Sequence, residues 1–348
     1  MSAFFLIAIL SLFPGWSGAA DLTVTTEGGV YRGREEKGVR FFPAIAYAKP
    51  PVGLLRWRHP VPEEKALQRE RPVSCPQTLI DILPVDEKME MDEDCLYLNV
   101  WSPKNGDRRP VVLFIHGGAY LTGAGIKSFY DGSVFARRGV VFVSINYRLS
   151  NLGYGPSLSK EPGSPGLMDQ AAALRWVIRN IEKFGGDPGQ IYRMGQSKGA
   201  EASAALMESG LADEHVRGAV AFSGPRNFEK AYNERWRHEM RHEFRPGEPF
   251  MGWRHLLLQE GFRFLMPELP AIRESGEGKN RFKVLVTGIA KEFGNDDIFC
   301  YEMSFLLEAY DYIDSYYYEL HPGTRDHGSE LRSIFSEDPY GRRLLNHI

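Results

Sequence analysis

Gly195, Gln196, Ser197, Lys198 and Gly199 spell G-x-S-x-G, between a short apolar run at Ile191 to Met194 and a helical run at Ala200 to Met207. In that context the two glycines let the chain turn sharply enough to lift Ser197 off the end of a strand, its hydroxyl exposed and a helix N-terminus behind it. A serine hydroxyl is a weak nucleophile. It needs a base, a group that orients the base, and donors for the oxyanion that forms when it attacks a carbonyl. Donors have a candidate in His116, Gly117, Gly118, Ala119 and Tyr120, which directly follow the apolar run Val111 to Ile115. Small residues there let backbone N–H groups approach a substrate, and Ala119 serves as well as glycine because only its N–H is used. The competing readings are structural: a Gly-rich turn whose serine caps the helix, and a tight strand-to-helix turn at Gly117 and Gly118.

A second pattern offers different chemistry. His238, Glu239, Met240, Arg241 and His242 spell H-E-x-x-H, which on a helix puts two imidazoles on one face for zinc with a glutamate as general base. Its neighbours Arg235, Trp236, Arg237 and Glu243 are those of a solvated helix face, Arg241 would repel a dication, and no third ligand is evident. No metal and no cofactor are expected.

The elements that must position Ser197 follow from the hydrophobic pattern. After the N-terminal apolar run comes a stretch rich in strand and turn signals through Phe41 to Arg58, punctuated by Pro50, Pro51 and Gly53, which predicts an N-terminal β meander. Beyond Leu96, apolar runs alternate with helical ones. Val111 to Ile115 and Val140 to Ile145 are short and largely apolar, as strands are when both faces of a parallel sheet are covered. Gln170 to Phe184 carries Ala173, Leu174, Val177, Ile178 and Ile181 at helical spacing and stops at Gly185 and Gly186. The alternation implies an α/β domain built on one main sheet, with no internal repeat and no linker.

Composition narrows the function classes. The 348 residues are 43% hydrophobic and 25% charged, enough for a sizeable core. A formal charge of -3 with no long run of one sign excludes an electrostatic nucleic-acid binder. Phe4 to Phe13 is an apolar run followed by Pro14, Gly15 and the small residues Ser17 to Ala20, so residues 1–20 read as a secretory signal peptide, although the run is preceded by no Lys or Arg. The run is too short for a spanning helix, which needs about 20 apolar residues. A soluble, secreted protein without N-glycosylation sequons is expected, with residues 21–348 as one domain. An oxidising compartment permits pairing among Cys75, Cys95 and Cys300. Cys75 and Cys95 lie 20 apart around a polar, acidic stretch and are paired in this reading, with Cys300 free; three buried thiols are the alternative. A bridge closing that loop stabilises by roughly 3 kcal/mol on the chain-entropy account.

Glu93, Asp94, Cys95, Leu96, Tyr97, Leu98, Asn99 and Val100 resemble the signature of the type-B carboxylesterases, and Cys75 with Cys95 matches that family's first disulfide. Four further stretches agree: Tyr47 to Arg58, Asn146 to Leu149, Gly166 to Gln170, and Phe184 to Pro188. The resemblance runs from about Gly33 to Phe335. It implies an α/β-hydrolase fold: a mostly parallel central sheet flanked by helices, with an N-terminal β meander and a shortened C-terminal part. It also implies a base, because Asp326, His327, Gly328, Ser329, Glu330 and Leu331 resemble the family's catalytic histidine segment, after an apolar and aromatic strand at Tyr312 to Leu320. His321 borders the same strand without the pattern, and His116 belongs to the oxyanion loop.

The acid departs from the family pattern. There a glutamate stands five positions after a strand and a glycine; here the strand Phe282 to Thr287 and Gly288 are present, but the fifth position is Phe293 and Glu292 stands one earlier. Glu292 is taken as the acid, with Asp296 and Asp297 as alternatives, and the order Ser197, Glu292, His327 is that of α/β-hydrolases. Only 35 positions separate Glu292 from His327, much less than the family's usual spacing, which implies missing wall helices and a more open site. Lys198 replaces the usual small residue after the nucleophile; its N–H can still donate, while its side chain is expected to put a cation on the rim, where it would favour anionic substrates or crowd the site. Gln196 replaces the commoner Glu, as in juvenile hormone esterases. No Trp lies between Cys75 and Cys95, the loop that in cholinesterases supplies the aromatic holding quaternary ammonium. The reading is a secreted serine hydrolase that cleaves small-molecule carboxylic esters through an acyl-enzyme, with Ser197, Glu292 and His327 as triad and Gly118, Ala119 and Lys198 as oxyanion donors. The alternative is a cholinesterase-like binding or adhesion protein, or a truncated member with little activity. Oligomeric state is not readable from the sequence.

Overall fold

The computed structural model describes residues 22–77, 90–127, 130–155, 158, 163–208, 215–222, 282–289, 313–320 and 335. Ten strands form one sheet: β1 (Leu22–Thr26), β2 (Gly29–Glu36), β3 (Val39–Ala46), β4 (Tyr97–Ser102), β5 (Arg109–Ile115), β6 (Val141–Ile145), β7 (Gly186–Gln196), β8 (Val216–Phe222), β9 (Phe282–Ile289) and β10 (Ile313–Leu320). Their spatial order is β1-β2-β3-β4-β6-β5-β7-β8-β9-β10. Pairing is antiparallel from β1 through β4 to β6 and parallel from β6 across to β10. The described helices are α1 (Ser133–Ala136), α2 (Ser150–Tyr154), α3 (Pro165–Asn180) and α4 (Lys198–Glu208). This is the mostly parallel α/β-hydrolase sheet that the resemblance implies.

Strict alternation in the central strands covers both faces. Val111, Leu113 and Ile115 of β5 pack with Val143 of β6 and Leu174, Trp176 and Val177 of α3, while Val112 and Phe114 face the other way onto Phe142, Tyr130, Phe135 and Phe335. Phe335 places its ring 5.3 Å from Phe114 and 5.5 Å from Phe142, adding one more aromatic to that face.

The meander follows the N-terminal run as expected but ends sooner. β1 to β3 fill residues 22–46, whereas Pro50 to Arg58 is a loop with one 3-10 turn at Gly53–Leu55. β3 itself is irregular: its register against β4 shifts between Phe42 and Ile45, and Ala44 sits at φ 48° with its N–H donated to Asn99 Oδ1 at 3.0 Å. Helix α3 starts at Pro165, five residues before the expected Gln170, and its last turn tightens into a 3-10 segment at Ile181–Phe184, stopped by left-handed Gly185 at φ 90°. The early start has a local cause. A Cβ on Gly166 would meet the Tyr154 ring at 2.6 Å and the Arg148 carbonyl at 2.7 Å, so the proline and glycine of that pair open a helix pressed against α2.

The signature residues turn out to be architectural. Arg56 holds Glu93 through two hydrogen bonds of 2.6 and 2.8 Å, and Asn99 bridges β3 to Ser144 of β6. Cys75 and Cys95 are disulfide-bonded with their Cα atoms 5.0 Å apart. Among the described residues no helix is long and apolar enough to cross a membrane.

Candidate active site

Strand β7 ends at Gln196 and α4 begins at Lys198, so Ser197 alone makes the turn, at φ 52°. Its flanking glycines leave room for nothing else. A Cβ on Gly195 would lie 2.3 Å from the Gly199 carbonyl oxygen, and one on Gly199 would lie 2.2 Å from that of Ile115. The turn is fixed by Ser197 N–H donating to the Phe222 carbonyl of β8 at 2.8 Å, while the Ser197 carbonyl accepts from Ala200 at 2.9 Å and Glu201 at 3.2 Å. Between buried neighbours on both sides, Ser197 is partly exposed. Its hydroxyl has no hydrogen-bond partner among the described residues, so it does not cap α4 there.

The loop after β5 abuts this turn: a Cβ on Gly117 would meet Ser197 Cβ at 3.0 Å and the Gln196 carbonyl oxygen at 2.6 Å. Gly118, Ala119 and Tyr120 all have positive φ, 112°, 57° and 60°. Two consecutive non-glycine residues in that region cost about 1–3 kcal/mol each and persist only where the surroundings over-determine them. Here they do. The Gly118 carbonyl accepts from Leu121 and Thr122 at 2.9 and 3.0 Å, and Ser150 donates to the Tyr120 carbonyl at 2.7 Å. Tyr147 donates its hydroxyl to the His116 carbonyl at 2.6 Å and stacks on the His116 ring at 4.4 Å. The N–H groups of Gly118 and Ala119 donate to no acceptor among the described residues, an unusual state beside so many satisfied neighbours. Within the loop from His116 to Tyr120, Ala119 is the residue that reaches partial exposure.

Gln77 is a residue whose part the sequence reading missed. Its buried carboxamide oxygen accepts from Thr122 Oγ1 at 2.6 Å and Gly123 N–H at 2.7 Å, and its nitrogen donates to the carbonyls of Gly123 at 3.0 Å and Cys75 at 3.1 Å. The disulfide-anchored segment thus holds the far end of the loop after β5. The only sequence signal is an amide two positions after Cys75.

Lys198 corrects an expectation. Its side chain puts no cation on the rim: it is 8% exposed and turns inward to Glu201, with Nζ 2.5 Å from Oε2. The other Glu201 oxygen accepts from the Tyr120 hydroxyl at 3.4 Å. Burial pushes the Glu201 carboxyl up to about 7, against the pull of Lys198. His116 is fully buried, donates Nδ1–H to the Gly117 carbonyl at 2.8 Å, and is lowered by burial to about 3, so it is neutral at ordinary pH and suited to structure rather than proton transfer.

Glu292, His327, His321, Asp296, Asp297, Cys300, His238 and His242 lie outside the described residues. A groove of about 690 Å³ near Thr26, Glu63, Trp176 and Arg179 is lined by none of the motif residues and lies by the opposite end of β7. Among the described residues no cluster of His, Cys, Asp and Glu is suited to a metal ion.

The profile of the carboxylesterase family matches residues 20–243. The chain is 39% identical to fumonisin B1 esterase of Sphingopyxis macrogoltabida over 207 residues, 56% of this chain and 38% of that protein. It is 42% identical to para-nitrobenzyl esterase of Bacillus subtilis (58% and 43% of the two chains) and 41% identical to acetylcholinesterase-1 of Trittame loki (54% and 37%). The chain therefore spans well under half the length of these curated relatives. A solved structure of PNB esterase superposes with a TM-score of 0.70 at 26% identity, over 91% of this chain and 84% of that one. With the profile spanning most of the described sheet and both motif loops, the chain belongs to the carboxylesterase family.

Proposed function

We propose that the protein is a secreted serine esterase. The observation that carries this reading is a partly exposed, strained Ser197 whose hydroxyl has no partner, set against a loop whose Gly118 and Ala119 N–H groups have no acceptor, among the described residues. Donors held in that state cost no reorganisation when an oxyanion forms. Ser197 Oγ attacks the ester carbonyl as His327 takes its proton, and Glu292 orients the imidazole. The tetrahedral oxyanion rests on the N–H groups of Gly118, Ala119 and Lys198. Collapse expels the alcohol, which takes the proton from His327 and leaves an acyl-Ser197. Water, deprotonated by His327, then attacks the acyl carbon; the acid leaves and Ser197 regains its proton. Secretion is proposed from residues 1–20 together with the Cys75–Cys95 bond, which suits an oxidising compartment. The substrate is a small-molecule ester, as the names of the relatives suggest by analogy.

The test is turnover of p-nitrophenyl esters of graded acyl length by the wild type, Ser197→Ala, Glu292→Gln, Asp296→Asn and Asp297→Asn. Wild-type turnover is expected, abolished in the serine variant and reduced by about 10⁴-fold in kcat for Glu292→Gln, with far less change in KM. Loss in one of the aspartate variants instead would move the acid along the loop. A folded wild type without turnover would favour the binding-protein reading.

A further inference from the structure

The buried ion pair behind the nucleophile has no part in the proton transfers above, yet it touches both halves of the oxyanion site. Lys198 is the first residue of α4 and immediately follows Ser197; Glu201 is one turn on, with its side chain fully buried. One carboxylate oxygen holds the Lys198 ammonium at 2.5 Å. The other receives the Tyr120 hydroxyl at 3.4 Å, and the Lys198 ammonium itself sits 5.6 Å over the Tyr120 ring. Tyr120 directly follows Ala119 and shares its left-handed conformation. Its ring also packs against that of Tyr154, with centroids 4.1 Å apart.

A hydrophobic filler at position 201 would occupy the space without direction. A carboxylate with one oxygen on each segment limits their spacing: the short charge-assisted bond to Lys198 fixes one end, and the longer contact with the Tyr120 hydroxyl sets the reach of the other. Burying such a pair offers little stability over an apolar pair, so its value lies in specifying position. We propose that Glu201 is a positioning residue that ties the residue after the nucleophile to the oxyanion loop. It holds the Lys198 N–H on one side and those of Gly118 and Ala119 on the other at the separation that one oxyanion requires. This rests on the esterase reading. Among the described residues, the titratable groups that face Glu201 are Lys198 on its own helix, Tyr120 in the loop, Tyr147 after β6 and Tyr154 in α2.

The experiment compares the wild type, Glu201→Gln, Tyr120→Phe and the double variant. For each, active serines are counted with a fluorophosphonate, kcat and KM are measured on a p-nitrophenyl ester, and affinity is measured for an aryl trifluoromethyl ketone, which forms a tetrahedral oxyanion adduct. Glu201→Gln should lower kcat per active serine by about tenfold or more, since small misplacements of this kind cost up to about 10²-fold. KM should stay within about twofold, and ketone affinity should fall by the same factor as kcat/KM. Tyr120→Phe should lose about threefold, and the double variant should be no worse than Glu201→Gln, the non-additivity of groups acting through one tie. If Glu201→Gln fails to fold, a Tyr120→Phe loss shared by kcat and ketone affinity still supports the tie. Wild-type kcat and ketone affinity in either folded variant, with changes confined to Tm, would overturn it. A wild type that takes no fluorophosphonate and hydrolyses no ester would remove the esterase reading and this inference with it, whereas an active wild type with an unaffected Glu201→Gln removes the inference alone.

Discussion

The motif loops and the meander handle charge in opposite ways. On the meander, Lys37 meets Asp131 at 2.6 Å with the two side chains 56% and 22% exposed, and Arg34 meets Glu36 in the open. Between β6 and α3, Arg148 and Asp169 are buried to within 2% and 0%, and beside Ser197 the Lys198–Glu201 pair to within 8% and 0%. Exposed pairs gain little over solvated ions, whereas a buried pair that loses one partner leaves an uncompensated charge. The contrast teaches where the fold spends its specificity: the meander supplies area and edge, and the layer behind Ser197 supplies fixed positions.

Breaking the buried side of this comparison should have the largest effect. Asp169 accepts from Arg148 three times, through N, Nε and Nη2 at 3.0, 2.7 and 2.6 Å, and these bonds join the end of β6 to α3. Asp169→Asn should cost about 3–5 kcal/mol in urea unfolding. A loss below about 1 kcal/mol would place this pair with the surface ones. Next in size is Gln77→Ala, which strands the Thr122 hydroxyl and both polar groups of Gly123. It should cost about 1–3 kcal/mol and, on the proposed esterase mechanism, lower kcat more than it raises KM, because the loop of Gly118 and Ala119 loses its far anchor.

The pH dependence of stability sharpens the comparison further. Glu201 holds its proton to higher pH in the fold, about 7, than the ordinary glutamate value of 4.5, so its contribution is full below the ordinary value and is lost as pH rises through 7. His116 works in the other direction: with its pKa depressed to about 3 from 6.5, its contribution is full above 6.5 and is lost as pH falls toward 3. The Tm difference between wild type and Glu201→Gln should therefore shift against the wild type between about pH 5 and pH 8. A flat difference would mean that the pair does not titrate in that range. Smallest of all, Lys37→Ala should change stability by about 0–1 kcal/mol and leave turnover unaltered.

Ser197 and the loop of Gly118 and Ala119 were legible in the sequence because their signal is local: a strand, a turn that only small residues permit, and a helix. The sheet was legible for the same reason, its central strands being continuous apolar runs. What escaped depends on partners far along the chain. Gln77 acts on Thr122 and Gly123 from 45 and 46 positions away. The side-chain direction of Lys198 is set by an anion one turn on and a tyrosine from another loop, and the residue type alone suggests exposure. The end of the meander is not legible because Pro43, Ala44 and the bulge hide the period of β3, whereas Pro50 to Arg58 carries turn residues that serve a loop pinned by Arg56 to Glu93. The early start of α3 falls on a proline and a glycine, which carry no apolar period; at a first helical turn proline costs nothing and glycine permits the contact with Tyr154.

The central claim is that this positioned layer makes Ser197 a nucleophile. The most direct measurement is labelling of the folded, disulfide-bonded protein with a fluorophosphonate, followed by peptide mapping. The account predicts stoichiometric modification at Ser197 alone, lost in Ser197→Ala. A folded chain that remains unmodified, or that is modified at another residue, would contradict it.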